Sequence, residues 1–460
     1  MKKLLILMLT LCLLLTGCQG NDPVDTETGG QQQTTAPDTG AQESETAATL
    51  DDSKTPLVNE NKAAYTIVRP HFTSDIIIDQ IESLCDKLFE ATGVKFNASS
   101  DRNDKNKEDA EILIGNTNRT QSDVTDTLGD RDYIIKLEGN KIVITGGSDY
   151  AVLKAVESFM TMFSKEVPGI DKQLSVSGVV DGDSYRVAVT NRNGKKIEIY
   201  DMLPASDVLT KVKSLPIDTP AAGIKIRKHD TYGEVVLYCG TNYAEMMKYS
   251  DGSLIWSTNS AANNAHSVEL LPDNIIAVAS SSGNEVRFFD ITGTGYVKVS
   301  LEDAHGVLWD PENQIVWALG MKKLTAYKVT RTSSGISVTE ATERSVDLPS
   351  HYGHDLSAYY GDTNKLWITT SSSVYIFNKA TKTFSEYIAG GDHIVRSNVK
   401  GIGNYTDGSI VTLYPDGALY EWTTQTINLY FKYGSKLYHN EYTTIGTHYY
   451  KCRVMCTDYQ

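Results

Sequence analysis

Three hydrophobic rhythms follow one another along the chain. Leu4 to Leu15 is an apolar run broken only by Thr10. Between residues 56 and 178 the spacing alternates between two and three-to-four. Tyr65–Val68 and Glu111–Ile114 read as strands. Tyr133–Leu137 and Lys141–Thr145 read as a hairpin across Gly139-Asn140. Ser74 opens a helix with apolar residues at Ile77, Ile81, Leu84 and Leu88, closed by Gly93. Ser148 or Asp149 opens a second, with Ala151, Ala155, Phe159 and Phe163 at intervals of four. From Tyr185 onward the helical spacing disappears. Short strands rich in Val, Ile, Tyr and Thr recur between Gly, Asn, Asp and Ser turns. The pattern predicts an α/β N-terminal domain over 56–178 and an all-β domain over 180–460.

The leading apolar run is twelve residues long and follows Lys2 and Lys3. A bilayer span needs about 20 apolar residues, so the run fits the core of a signal peptide instead. It ends in Leu15-Thr16-Gly17-Cys18, which resembles the bacterial lipobox. That resemblance implies a signal over 1–17, lipid on Cys18, and export to the membrane surface of the cell envelope. Residues 18–55 read as a disordered tether: they are polar, lack aromatics, and bury too little apolar surface to offset chain entropy. The whole chain has 460 residues and a net charge of −15. So acidic a protein is a poor partner for nucleic acid, whose binding rests on phosphate neutralisation. Cys85, Cys239, Cys452 and Cys456 are too scattered for a disulfide framework and read as free thiols.

In the first domain, Tyr65-Thr66-Ile67-Val68, Ala91-Thr92-Gly93, Glu111 to Thr117, Asp132 to Ile135 and Ile144-Thr145-Gly146-Gly147 followed by Ala151 to Phe159 resemble a known module. It is the non-catalytic N-terminal domain that precedes the barrel of bacterial β-hexosaminidases and α-glucuronidases. In those enzymes the catalytic carboxylates sit on the barrel, and no such barrel follows here. The resemblance implies a carbohydrate setting without glycosidase activity.

The all-β region repeats. Ala265–Leu271 leads to Ile275–Val278 and Val286–Asp290. Ala304–Trp309 leads to Ile315–Ala318 and Leu324–Tyr327. Gly353–Ser357 leads to Leu366–Thr369 and Val374–Phe377. Asn398–Ile402 leads to Ile410–Leu413 and Ala418–Tyr420, and Gly223–Arg227 leads to Val235–Tyr238. Units of about 40 to 50 residues with three or four strands have the size of propeller blades. A sixth assembles from both ends: Tyr450–Val454 inside, then Arg186–Val189 and Lys196–Tyr200, which removes free sheet edges. The prediction is a six-bladed β-propeller. The motifs His266-Ser267-x-Glu269-Leu270-Leu271-Pro272, His305 to Asp310 and His354-Asp355-Leu356 also resemble an uncharacterised family of bacterial six-bladed propellers, which implies a fold and no activity.

One position, at the start of each inner strand, is held by Lys225, His266, His305, His354, Lys400 and Lys451. Inner strands line the channel, so these side chains are expected to converge at one mouth. Lys225, Lys400 and Lys451, with Arg227 and Arg453 two residues beyond the first and last, form a candidate anion site. Unpaired, such cations repel one another and their ammonium pKa values fall. His266, His305 and His354 have the side chains to hold Zn²⁺ or Mn²⁺ with one coordination position open. His351 and His393 lie in loops within reach of the same mouth. The function expected is capture of an acidic polysaccharide or oligosaccharide in the funnel. Two alternatives stand beside it: a metal-assisted lyase acting on uronate-containing glycans, and a scaffold for protein–protein interaction. The plain alternative for the ring is that its polar residues only bond channel water and backbone. The five Trp residues mostly fall on predicted strands and read as core rather than as sugar platforms.

Overall fold

The computed structural model describes residues 51–102, 109–182, 184–293, 295–387, 394–417 and 420–459. The signal, Cys18, nearly all of the tether, His393 and the pair Ala418-Leu419 lie outside the described residues.

Residues 66–179 build a six-stranded mixed sheet. Its order is Ser175–Val179, Asp132–Glu138, Lys141–Gly146, Glu111–Ile114, Thr66–Arg69, Ala98–Ser100, and the last four strands are parallel. Alternation decides its faces. Ile67, Ile112, Ile114, Ile142 and Ile144 pack with the two helices, whereas Val68, Leu113 and Val143 form a small cluster of their own. Helix α1 spans Asp75–Thr92 and ends at Gly93, whose φ of 70° and N–H to Phe89 O make the left-handed cap the sequence predicted. Helix α2 spans Asp149–Met160 and is capped by Ser148 Oγ, which accepts from Ala151 N. Ser74 stands at the N-cap of α1 but makes no capping bond; its hydroxyl donates to Asp149 Oδ2.

The rest of the chain forms six blades around one channel, five of four strands and one, blade 4, with a short fifth strand, Val346–Asp347. Blade 1 is the composite one: Tyr185–Asn191, Lys196–Met202 and Leu209–Pro216 are joined by the C-terminal strand Tyr449–Val454 on the inside. Blades 2 to 6 have inner strands Gly223–His229, Ala265–Leu271, Gly306–Asp310, Gly353–Ala358 and Gly401–Asn404. Pairing of Val187 with Val454 and Val189 with Cys452 closes the ring as predicted.

One strand prediction is corrected. Ala418–Tyr420 was expected to be the third strand of blade 6, but that strand is Thr426–Tyr433. Pro415 cannot donate to the ladder and Gly417 adopts φ 73°, so the chain turns out of the sheet after Leu413. Tyr420 and Trp422 are thereby left outside the sheet. The N-terminal helices meet the propeller at its closing seam. Asp79 receives Lys436 Nζ at 2.8 Å, Glu157 receives the hydroxyl of Tyr433, and one apolar cluster runs from the helices into blades 1 and 6.

Candidate functional site

Three inner strands carry a bulge at the same mouth of the channel. The ladder skips one residue at His266 in blade 3 and at His354 in blade 5, and Tyr450-Lys451 occupies the place of one residue in blade 1. A bulge turns neighbouring side chains onto one face of the strand. His354 and Asp355 therefore both face inward, as do Tyr450 and Lys451, and the inward parity after His266 passes to Ser267 and Glu269. Strict alternation from His266 would have aimed Val268 and Leu270 at the channel. This is why the sequence placed the cations and missed the acids between them.

Those acids change the chemistry of the interior. Glu269, with no exposure, takes Arg227 in a two-pronged pair, Nε to Oε1 and Nη2 to Oε2, both at 2.7 Å. Asp355 accepts from Lys451 Nζ at 3.0 Å, from Arg453 Nη1 at 2.9 Å and Nη2 at 2.6 Å, and from Ile402 N at 3.1 Å. It thus ties blades 5, 6 and 1 together. Lys225 lies 3.8 Å from Glu269 and reaches across to Leu356 O at 3.4 Å. For Lys225, Arg227, Lys451 and Arg453 the chain itself supplies two carboxylates, which meets in part the anion that the sequence reading required. These four form a buried ionic plug rather than an open anion site. Behind it the C-terminal residues cover the far end: Asp458 O accepts from Arg227 Nη1, and the Tyr459 ring lies 4.6 Å from that guanidinium.

The groups left at the near mouth are Lys400, the three histidines, Tyr450, Asp303 and Arg192. Lys400 Nζ has one hydrogen-bond partner among the described residues, His354 Nε2 at 3.0 Å. Burial, then Lys451, pushes its ammonium down to about 8. Burial, then Lys400, pushes His354 down to about 3, so the ring is neutral and accepts from the ammonium. The Asn398 side chain favours the protonated ring slightly, but His354 Nδ1 has no hydrogen bond of normal geometry. His266 is held well below its ordinary value by burial and by His305, and its Nδ1 pairs with Tyr450 Oη at 3.1 Å. His305 Nδ1 faces Asp303 O at 2.9 Å.

The histidines do converge, but as packed rings. His266 and His305 are 4.3 Å apart between centroids and inclined by 32°; His305 and His354 are 5.6 Å apart at 72°. Among the described residues no group of three His, Cys, Asp or Glu side chains has the arrangement of a metal site. An ammonium donating into His354 Nε2 would also repel a cation there. As placed, His266, His305 and His354 do not fit the Zn²⁺ or Mn²⁺ site expected of them. His351 lies in the loop before the inner strand of blade 5, with its carbonyl bonded to Ser371.

Sequence reasoning missed Arg192, Tyr450, Tyr420 and Trp422. Arg192 donates to Ala221 O at 3.0 Å and has no carboxylate partner among the described residues. Its guanidinium lies 4.9 Å from the Trp422 ring centroid and 5.8 Å from that of Tyr450. Trp422 is 40% exposed and stacks on Tyr420, itself 54% exposed. By contrast Trp309, Trp317 and Trp367 are core residues, as expected. The signal available was Pro415-Asp416-Gly417, which argues against a strand running through Tyr420.

Lys225, Lys400 and Lys451 are all depressed, chiefly by burial, and they set a pH dependence. Burial, then Arg453, lowers Lys225 to about 7, and Lys400 sits at about 8, against an ordinary 10.5. Between those values and 10.5 the unfolded chain holds protons that the folded chain has released, so stability rises with pH. Burial raises the thiols of Cys239 and Cys452 to about 12 from 9, which opposes the rise above about pH 9. Stability is therefore expected to climb between about pH 7 and pH 9. Lys225→Met should flatten the climb in denaturant titrations; an unchanged slope would contradict the assignment.

Residues 233–458 match the profile of a family of unknown function, DUF6528. No curated protein matches the sequence. Similar solved structures include the WD40 β-propeller domain of Doa1, at 10% identity and a TM-score of 0.37, covering 59% of this chain and 83% of that one. The β-propeller domain of Myceliophteria thermophila Cps50 (Swd1) has 12% identity and a TM-score of 0.35 over 58% and 88% of the two chains. A functionally unknown protein from Desulfotomaculum acetoxidans has 12% identity and a TM-score of 0.36 over 59% and 88%.

Proposed function

We propose that the protein captures an acidic carbohydrate at the near mouth of its propeller. The observation that carries this reading is the pair Lys400 and Arg192. Both cations sit at the mouth with no carboxylate hydrogen-bonded to them among the described residues, Asp303 acting on Lys400 only at longer range, while the cations deeper in the channel pair with Glu269 and Asp355. A ligand carboxylate there forms charge-assisted bonds in a partly desolvated site, the setting in which such bonds are strongest. It would also raise the Lys400 pKa, so that binding above neutral pH takes up a proton. The plug and the covered far end favour entry from one side and a surface-bound ligand over a threaded chain.

A cleft of about 620 Å³ between the helix starts and blade 6 is a poorer candidate. Asp75, Asp130, Asp149 and Asp207 line it and would repel an anion. The resemblance of the N-terminal sheet to the glycosidase-associated module is part of the same proposal, as is anchoring through lipid on Cys18. Among the described residues no helix is long and apolar enough to cross a membrane. Labelling with a radioactive fatty acid should mark the full chain and be lost in Cys18→Ala; equal labelling of both would remove the anchor.

Calorimetric titration of the full chain with oligogalacturonate should give saturable heat that weakens with salt. Absence of heat contradicts capture and leaves the scaffold reading. New ultraviolet absorbance from unsaturated uronate during long incubation would establish a lyase instead.

A further inference from the structure

We propose that the stacked rings of Tyr420 and Trp422 are the sugar-contacting shelf of the mouth. The ligand is a pyranose chain whose ring face lies against the exposed side of the stack while its carboxylate turns inward to Arg192 and Lys400. This rests on the acidic-carbohydrate reading and adds the class and orientation of the ligand.

The two rings are parallel within 7°, with centroids 5.6 Å apart, and both remain substantially exposed. Exposed singly, such residues need no explanation; a parallel, stacked pair held next to a guanidinium without a carboxylate partner does. Its position is held from three sides. The Trp422 ring meets Tyr450 edge-on at 5.5 Å and 82°. Tyr420 meets His448 at 4.9 Å and 82°. Below, Thr423 N bonds Tyr420 O, and Thr424 Oγ1 bonds Asp416 Oδ2 at 2.8 Å. The shelf is therefore preorganised, which lowers the entropy that a ligand must overcome.

The chemistry selects the occupant. One face of a pyranose presents C–H bonds, weakly positive and apolar, which suit the negative face of an aromatic ring. Its edge presents hydroxyls and, in a uronate, a carboxylate. The groups bordering the shelf match that edge: a guanidinium 4.9 Å from the Trp422 centroid, the Tyr450 hydroxyl bonded to His266, and the His448 ring. Tyr450 links the shelf to the ring of histidines, and the bulge at Tyr450-Lys451 is what aims it there. A purely apolar ligand would leave Arg192 and Lys400 unanswered. A small anion would leave both aromatic faces wet. A pyranose carboxylate satisfies both.

The test combines calorimetry with acrylamide quenching of tryptophan fluorescence in the full chain, using oligogalacturonate and a neutral cello-oligosaccharide. Oligogalacturonate should shield the quenchable tryptophan. Trp422→Ala should weaken its binding about tenfold, as loss of one aromatic stack would, and Trp422→Phe should restore most of it. Lys400→Ala should cut the preference for the acidic sugar about tenfold and leave the shelf working. If oligogalacturonate binds Trp422→Ala as tightly as the natural chain, the shelf is overturned and acidic capture stands. If acidic and neutral sugars bind alike and both are lost in Trp422→Ala, the shelf stands and the acidic reading falls. Binding of neither overturns both.

Discussion

Asp355→Ala is expected to destabilise the propeller by about 3–5 kcal/mol, the cost of leaving buried charges without their partner. Asp355 is 1% exposed and its carboxylate answers Lys451, Arg453 and a backbone N–H of blade 6. Burial alone would raise its pKa; Arg453 and Lys451 overcome that and hold it well below the usual range. The variant keeps two cations at the closing seam of the ring with nothing to neutralise them. In a thermal melt the propeller transition should fall by roughly 10 °C. Replacing Asp355, Lys451 and Arg453 together by apolar residues of similar volume should recover most of the loss, since an absent ion network costs less than a broken one. A single-variant change under about 1 kcal/mol would mean that the network is solvated and the channel open.

The second large effect concerns ligand. Arg192→Ala with Lys400→Ala should weaken oligogalacturonate binding about a hundredfold, roughly tenfold for each charged hydrogen-bonding group. The two are linked in turn through Tyr450, which borders Arg192 and Lys451, and through Lys451, which acts on Lys400, so the single losses need not add. The remaining affinity should be nearly independent of salt. Among the described residues neither is hydrogen-bonded to a carboxylate, so the double variant should melt within a few degrees of the natural chain. Undiminished, salt-sensitive binding in that variant would place the anion elsewhere.

The blades were legible because each inner strand repeats the same short run of residues at an interval of about 40 to 50. Even the composite blade could be assembled from Tyr450–Val454 and Arg186–Tyr200, since an unpaired edge would be costly. The site was legible only in part. His266, His305, His354 and Lys400 do meet at one mouth. Period-two counting could not show that Glu269 and Asp355 meet Arg227, Lys451 and Arg453, because bulges at His266 and His354 shift the inward parity, and such irregularities have no sequence signature of their own. The acids stood inside the very motifs that carried the propeller resemblance, His266-Ser267-x-Glu269 and His354-Asp355. Trp422 was obscured differently. The tryptophans fall mostly on predicted strands and as a group read as core, whereas the break after Pro415 leaves Trp422 at the rim.

Hydrogen–deuterium exchange on the full chain, with and without oligogalacturonate, tests the location of the site most directly. The expected result is slower exchange at backbone amides around Arg192, Lys400, Tyr420–Thr424 and Tyr449–Cys452, with no change near Asp149, Asp207 and Asn440 in the acidic cleft. Protection confined to that cleft, or none at saturating ligand, would contradict capture at the propeller mouth.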